Sequence, residues 1–155
     1  MIPNLFTKVP IPDILPDELE VKIAELKEGA APAVFLRRAF DWIVGRWGGS
    51  RSGLFTAFGR LFDTRLSTIL KTEGYMHCTT MNYLLRVMAV KSGLFEDREI
   101  EQVLTHSWYI APHQYLRVRL DGGKTIDLDP WNYQFGIDYG SHGRGFDSVR
   151  LNPIR

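Results

Sequence analysis

The fold of this chain is decided by residues 113–130, which read HQYLRVRLDGGKTIDLDP. Apolar and polar side chains alternate through both halves of the stretch, and a glycine-containing loop separates the halves. Such alternation is typical of β-strands with one buried face. The stretch therefore predicts two antiparallel strands, over 114–120 and 124–128. Their apolar positions are Leu116, Val118, Leu120, Ile126 and Leu128.

The turn between these strands sets which residues face each other. Every apolar position is even-numbered, so all of them share one face only if paired residue numbers add up to an even value. A two-residue turn at Gly122-Gly123 would put the two apolar sets on opposite faces. A three-residue loop from Asp121 to Gly123, with Gly123 left-handed, pairs Leu120 with Lys124 and restores the match. We therefore expect the three-residue loop.

This register predicts the neighbours of His113. It places His113, Tyr115 and Arg117 on the same face as Asp127 and Asp129. Arg117 then lies opposite Asp127, which favours a cross-strand ion pair. Asp129 is the diagonal neighbour of His113, at a spacing of about 7–8 Å that side chains can bridge. Asp129 is therefore the candidate acid for orienting the imidazole.

Upstream of the hairpin, Cys78 is the only cysteine of the chain. It opens a predicted helix whose apolar stripe is formed by Met81, Leu84, Leu85 and Met88 and which ends at Ser92-Gly93. A helix N-terminus stabilises a thiolate, and its N–H groups can contribute to an oxyanion hole. The alternative interpretation is that Cys78 extends the apolar stripe and is simply core, since free cysteine is often buried.

A thiol nucleophile needs a base, and the base needs a group that orients it. Cysteine, then histidine, then aspartate is the order expected of a papain-like acyl-transfer enzyme, which predicts Cys78, His113 and Asp129 as catalytic residues. His106 is the rival base. If Ala111-Pro112 is a two-residue turn, His106 lies on a first strand over 103–110, opposite Arg117 and one strand further from Asp129. We favour His113.

Two other histidines are less suited to this role. His77 precedes Cys78 directly and is expected to point away from the thiol, because adjacent helical residues do not share a face. His142 lies in a glycine-rich tail. Trp131, just after Asp129, is expected to form a wall of the pocket.

The remaining sequence predicts helices before the strands. One helix begins at Pro16-Asp17 and ends at Gly29, a second runs from about residue 32 to 47, and a third is suggested around 58–66, restarted at Asp63 or Thr64. Helices followed by strands favour a single α+β domain over residues 1–155. Residues 1–15, rich in proline, are expected to form an extended arm, and residues 132–155 a glycine-rich tail over the body.

Composition narrows the class of protein. The 155 residues are 45% hydrophobic and 24% charged with a net charge of +1, which gives no general attraction to nucleic acid or membranes. A single cysteine excludes an internal disulfide, and no Cys/His cluster has zinc spacing, so we expect neither metal nor cofactor. There is no membrane-length apolar run and no secretory signal pattern. We expect a cytoplasmic protein with a reduced thiol, of undetermined oligomeric state.

The same residues resemble the transglutaminase-like superfamily over about 32–131. The resemblance is carried by Phe40-Asp41-Trp42-Ile43-Val44, by a helix from Cys78 to Gly93, by a strand opening at His113 and by Leu128-Asp129-Pro130. It implies a papain-like fold of helices packed on an antiparallel sheet. It also implies Cys78 as nucleophile, His113 as base and Asp129 as orienting acid, with no metal required for the chemistry.

The resemblance further suggests Tyr75 or Trp47 as the side-chain donor of an oxyanion hole. The chain departs from the family in having Met76 where a glycine is usual and Arg117 where a glutamate follows the strand histidine. The predicted function is a thiol-dependent peptidase, amidase or transglutaminase acting on an amide bond of a peptide or protein. The alternatives are a catalytically inactive domain of the same fold that binds a peptide or protein partner, and a structural domain.

Overall fold

The computed structural model describes residues 8–50, 53, 63–107, 111–143 and 149–151. These residues form helices and a small antiparallel sheet, so the α+β class is confirmed. The helices are α1 (Asp17–Lys27), α2 (Pro32–Arg46), α3 (Leu66–Lys71) and α4 (Cys78–Lys91). The strands are β1 (Trp47–Gly48), β2 (Gly74–Tyr75), β3 (Ile100–Ser107), β4 (Ala111–Arg119), β5 (Thr125–Leu128) and β6 (Val149–Leu151).

The helices begin and end close to the predicted positions. α1 follows Pro16 with acids in its first turn, and the chain turns away at Gly29, whose φ of 62° is left-handed. α2 ends one residue earlier than predicted, because Trp47 enters the short parallel pair of β1 with β2. The helix suggested around 58–66 falls largely outside the described residues.

α3 begins after the predicted restart. The Asp63 carboxylate accepts the Arg65 backbone N–H at 2.9 Å. The N-cap residue of α3 is Arg65, which makes no side-chain capping hydrogen bond, so the predicted cap at Asp63 or Thr64 is wrong.

α4 is the central helix of the molecule. It begins at Cys78, as predicted, and its residues from Thr79 to Ala89 are buried. One side packs against α2 and the other against β4. A helix covered on both sides is apolar over most of its circumference. Its first residue, Cys78, is only partly buried and lies at the edge of the core.

The hairpin register is confirmed. β4 pairs with β5 so that Arg117 faces Asp127 and Val118 faces Ile126. The Leu120 N–H donates to the Lys124 carbonyl at 2.7 Å. Gly122 and Gly123 both adopt positive φ, at 75° and 77°, which L-residues with side chains avoid.

The two-residue turn predicted at Ala111-Pro112, which would have placed His106 opposite Arg117, is wrong. Ala111 and Pro112 do not turn the chain but belong to β4, where they pair with Ser107 and His106. Pro112 is tolerated because β5 pairs only with residues 116–119, so β4 has an open edge at this point. The connection instead spans residues 108–110, which lie outside the described residues.

The strand order is β5-β4-β3-β6, and β6 was not predicted. The glycine-rich tail does more than cover the body, because residues 149–151 add an edge strand to β3. Before that, Gly140 forms an isolated bridge with Asp127. The tail therefore contacts β5 at one edge of the sheet and adds an outer strand beside β3 at the other edge.

Over residues 8–15 the predicted N-terminal arm forms neither helix nor strand and bends at residues 13–14, and residues 1–7 are not described. Its anchor is Arg86 of α4, which is 1% exposed. Arg86 donates to the Val9 carbonyl at 2.7 Å and binds both oxygens of Asp97 at 2.6 and 2.9 Å. Within the residues described, no helix is both long and apolar enough to cross a membrane.

Candidate active site

Cys78 is placed where a nucleophile could be reached from solvent. It is the first residue of α4, after His77 in extended conformation (φ −70°, ψ 151°). The Met76 N–H donates to the Gly48 carbonyl at 3.1 Å, which fixes the approach of the chain to the helix. The Cys78 side chain is partly exposed. The interpretation of Cys78 as a buried core residue is therefore wrong.

The structure brings Cys78, His113 and Asp129 together. His113 Nε2 lies 2.9 Å from both Oδ1 and Oδ2 of Asp129. The same imidazole is hydrogen-bonded to the Cys78 side chain. Because Nε2 is engaged by the carboxylate, Nδ1 is the ring nitrogen left for the sulfur. The predicted meeting of the three groups is thus observed, while their catalytic roles remain predictions.

Burial and charge act against each other at His113. The side chain is 2% exposed, and this burial disfavours the charged imidazolium. The Asp129 carboxylate and the neighbouring Cys78 side chain outweigh that penalty, and together they raise the pKa of His113 from 6.5 to about 10. The imidazole is therefore protonated at neutral pH, and it places a positive charge beside the sulfur. A neighbouring cation favours the thiolate form of cysteine.

The Asp129 carboxylate is held by four N–H donors. Besides His113 Nε2 these are the backbone N–H of Asn132 at 3.2 Å, Nδ2 of Asn132 at 2.8 Å and the backbone N–H of Gly143 at 2.8 Å. Burial alone would raise the pKa of Asp129, but the His113 charge and these hydrogen bonds lower it below 3.8. Asp129 therefore stays ionised, and the hydrogen bonds from Asn132 and Gly143 fix the orientation of its carboxylate.

Asn132 is a site residue that the sequence analysis missed. Its side chain is buried, and Nδ2 lies 3.1 Å from His113 Nε2. Because Nε2 donates to Asp129, this approach is a packing contact and not a further hydrogen bond. The signal was present in the sequence, since Asp-Pro favours a turn in which the aspartate accepts a later backbone N–H. Only the tertiary structure shows that the turn closes over the imidazole.

Gly143 was also missed, and it yields a prediction. A Cβ at Gly143 would overlap Nδ2 of Asn132. We expect Gly143→Ala to push the tail away from Asp129, to destabilise the fold by about 1–3 kcal/mol and to lower the rate of Cys78 acylation about tenfold or more. Thermal unfolding and acylation by p-nitrophenyl acetate measure the two effects.

The matched control is Ala24→Gly, an exposed position in the middle of α1. A glycine in a helix interior should destabilise by about 0.5–1 kcal/mol. The acylation rate of this control should not change. Equal rates in Gly143→Ala and Ala24→Gly would contradict the role given to the tail.

Two of the three predicted substrate-binding residues border the candidate triad. The Trp131 ring lies 5.5 Å from the His113 ring, and its indole N–H donates to the Tyr75 hydroxyl. Burial and the neighbouring Cys78 side chain raise the pKa of Tyr75 to about 12, although the Trp131 hydrogen bond opposes them. Tyr75 therefore stays neutral beside the sulfur.

Trp47 does not supply an oxyanion donor. Its indole N–H donates to the Thr72 carbonyl at 2.6 Å, and its side chain is 2% exposed. Trp47 does line, together with Tyr75 and Gln134, an open groove of about 390 Å³ along β1 and β2. Its contribution is therefore to the shape of this groove.

The rival base His106 lies away from the site. It pairs with Pro112, and the partner of Arg117 across β3 is Glu101, so the predicted pairing of His106 with Arg117 is wrong. The Nδ1 atom of His106 is buried without a hydrogen-bond partner in the described part of the chain. It contacts neither Cys78 nor Asp129 in the hydrogen bonds of these residues. His113 is therefore the histidine that the fold presents to the thiol.

The other two histidines occupy the borders of the site. His77 is buried, and its Nδ1 lies 2.8 Å from the Tyr75 hydroxyl. His142 stacks on Tyr115, with ring centroids 4.1 Å apart, and its Nδ1 lies 2.9 Å from Asp127 Oδ2. Neither ring is hydrogen-bonded to Asp129 among the contacts described.

Asp127 is occupied elsewhere, as predicted. Arg117 binds both of its oxygens, at 2.6 and 2.9 Å. Burial opposes ionisation, but Arg117 and His142 keep the pKa of Asp127 below 3.8. Asp127 is therefore a partner of Arg117 and does not compete for His113.

Comparisons with known protein families, with functionally characterised proteins and with solved structures gave no match. Within the described residues, no group of three or more His, Cys, Asp or Glu side chains is arranged to hold a metal ion. The chemistry proposed for the site therefore depends on its own side chains.

Proposed function

We propose that this chain is a thiol-dependent acyl-transfer enzyme acting on amide bonds, of the transglutaminase-like type with a papain-like fold. The observation that carries the proposal is a buried imidazole held between a partly exposed thiol and a carboxylate with four N–H donors. Such an arrangement is costly to bury unless it is fully paired. It matches the nucleophile, base and orienting group of covalent acyl transfer.

The proposed reaction has two steps. The Cys78 thiolate attacks the carbonyl carbon of the amide, and the resulting tetrahedral intermediate collapses as the His113 imidazolium gives its proton to the leaving amine. A thioester is left on Cys78. Water or a second amine then attacks the thioester while His113 takes the proton from this nucleophile, and the thiolate is released. Water yields hydrolysis, and an amine yields transamidation.

Charge develops on the carbonyl oxygen in both steps. We assign its stabilisation to the N-terminal turn of α4 and to the Tyr75 hydroxyl. A helix N-terminus favours negative charge, and neutral hydroxyl groups can donate to an oxyanion. Tyr75 is held in place by the Trp131 indole. The groove along β1 and β2 begins at Tyr75 and suits an extended peptide or protein segment.

The alternative of an inactive peptide-binding domain makes no use of the paired imidazole. We therefore favour the enzyme, with a peptide or protein amide as substrate and no cofactor. Because the chain has one cysteine and hence no internal disulfide, it suits a reducing compartment, for which we propose the cytoplasm.

The pH dependence of Cys78 alkylation tests the proposal. An ordinary thiol is almost entirely protonated near pH 6 and reacts slowly with iodoacetamide. With the His113 imidazolium beside the sulfur, we expect the wild-type protein to react readily near pH 6. His113→Ala should lower this rate about tenfold to a hundredfold, while the two proteins should converge near pH 9.

His106→Ala is the matched control, since it removes a histidine from the neighbouring strand. It should leave the rates at both pH values unchanged. Indistinguishable profiles for wild type and His113→Ala would refute the proposed function.

A further inference from the structure

We propose that Asn82 is a positioning residue for the Cys78–His113 pair and acts through a chain of buried side-chain amides. The inference rests on the proposed function, because it concerns the same sulfur and imidazole. Asn82 lies one helical turn after Cys78 on α4. Its partner, Gln114, directly follows His113 on β4. The two elements that carry the reacting groups are therefore joined next to those groups.

The amide chain consists of Asn82, Gln114 and Gln102. Asn82 Nδ2 donates to the Gln114 backbone carbonyl at 2.7 Å and lies 3.5 Å from Gln114 Oε1. Gln102 Nε2 donates to Gln114 Oε1 at 3.1 Å. All three side chains are 0% exposed. The amide chain thus runs from α4 across β4 to β3 through the interior.

Stability alone does not explain these amides. The same two elements also contribute apolar residues to the core, with Leu85 from α4 and Leu116 and Val118 from β4. Asn82 Oδ1 has no hydrogen-bond partner among the residues described, so burying this side chain carries a desolvation cost. A leucine of similar size would avoid this cost but would leave the buried Gln114 carbonyl without this donor. The amide therefore supplies a directed bond at this position that an apolar side chain cannot make.

Hydrogen bonds fix the position of α4 relative to β4, and apolar contacts do not. Apolar packing is non-directional, so α4 could shift along β4 and still bury the same surface. The Asn82 bond to the Gln114 carbonyl is made at one position only, and a shift would leave both groups buried and unpaired. The amide chain therefore fixes α4 relative to the peptide adjacent to His113. An error of about 1 Å between reacting groups can cost roughly a hundredfold in rate.

The test compares Asn82→Leu with Val87→Ala in the full chain. Val87 is buried on the same helix and takes no part in the amide chain. Iodoacetamide alkylation is measured near pH 6 and near pH 9, with urea unfolding measured in parallel. Asn82→Leu should lower the rate near pH 6 about tenfold or more and leave the rate near pH 9 unchanged. Val87→Ala should lower the urea midpoint and leave both rates unchanged.

A second variant covers the case in which Asn82→Leu does not fold. Gln102→Met removes the outer amide from β3 and leaves α4 untouched. It should lower the rate near pH 6 about two- to fivefold, because Gln114 Oε1 loses the Gln102 donor. An unchanged rate in this variant overturns the inference.

The outcomes separate this inference from the proposed function. If the wild-type rate near pH 6 does not depend on His113, both fail. If it depends on His113 but Asn82→Leu keeps the wild-type rate, only the positioning role of Asn82 fails. An equal loss in Asn82→Leu and Val87→Ala shows that general destabilisation is the cause and overturns the positioning role.

Discussion

Cys78→Ala should abolish both turnover of an activated acyl ester and labelling by iodoacetamide. Cys78 is the only cysteine, so no second thiol can replace it. The residue is partly exposed, and its side chain is hydrogen-bonded to His113. With p-nitrophenyl acetate, the wild type should release a burst of about one nitrophenolate per chain as the acyl-enzyme accumulates. The alanine variant should show no burst above the rate in buffer.

Cys78→Ser is the control for this prediction. It keeps the size of the side chain and its contact with His113, and it replaces the thiolate by a weaker oxygen nucleophile. Labelling by iodoacetamide should vanish in both variants, and the free energy of unfolding should change by about 1 kcal/mol or less in either. Full turnover by Cys78→Ala would end the assignment of Cys78 as nucleophile.

Asp129→Asn should lower kcat by about 10⁴-fold, the cost of the same change in Ser-His-Asp triads. The carboxylate accepts hydrogen bonds from His113, from two N–H groups of Asn132 and from Gly143. An asparagine amide offers one acceptor oxygen and presents an NH₂ group to the remaining donors. If His113 Nε2 accepts from this NH₂, the ring proton moves to Nδ1. The ring then faces the sulfur in the wrong tautomer for a base.

The same variant should also reveal how the pair contributes to stability at different pH. The pKa of His113 is about 10 in the folded state against an ordinary value of 6.5, and that of Asp129 lies below 3.8. The raised pKa of His113 stabilises the fold fully below pH 6.5, and this contribution is lost as the pH rises toward 10. A lowered carboxyl pKa stabilises above 3.8 and loses its contribution as the pH falls through the folded value.

The stabilisation by this pair is therefore greatest between about pH 4 and pH 6.5. Urea unfolding near pH 5 and near pH 9 should show a loss of about 3–5 kcal/mol for Asp129→Asn at the lower pH and a smaller loss at the higher one.

Asp127→Asn is the matched control, since Asp127 lies on the same face of the hairpin but binds Arg117. It should have a smaller effect on unfolding and little effect on kcat. If the two variants lose equal activity, Asp129 has no special relation to the imidazole.

Much of the hairpin could be predicted from local sequence. The parity of the apolar positions allowed one register, and the glycines at 122 and 123 supplied the positive φ that its loop requires. The start of α4 at Cys78 was equally local, because the apolar stripe begins there. These features depend on side-chain period and backbone conformation within a few residues, and the sequence records both directly.

The surroundings of the site were less predictable. Asp-Pro at 129–130 signals a turn, but the sequence does not say that Asn132 closes on the imidazole. Gly143 reaches Asp129 only because the tail returns across the sheet. The pairing of Ser107 with Ala111 contradicted the expected turn at Ala111-Pro112, since the open edge of β4 tolerates the proline.

The sequence by itself thus determined the α+β class, the helix that begins at Cys78 and the register that brings Asp129 within reach of His113. The tertiary structure alone decided that sulfur and imidazole meet, that the tail supplies donors to the carboxylate and that α4 is fixed to β4 through Asn82. The physical reason is range. Period and turn conformation act between near neighbours, whereas these contacts join residues between 14 and 35 positions apart, and their proximity depends on how the whole core packs.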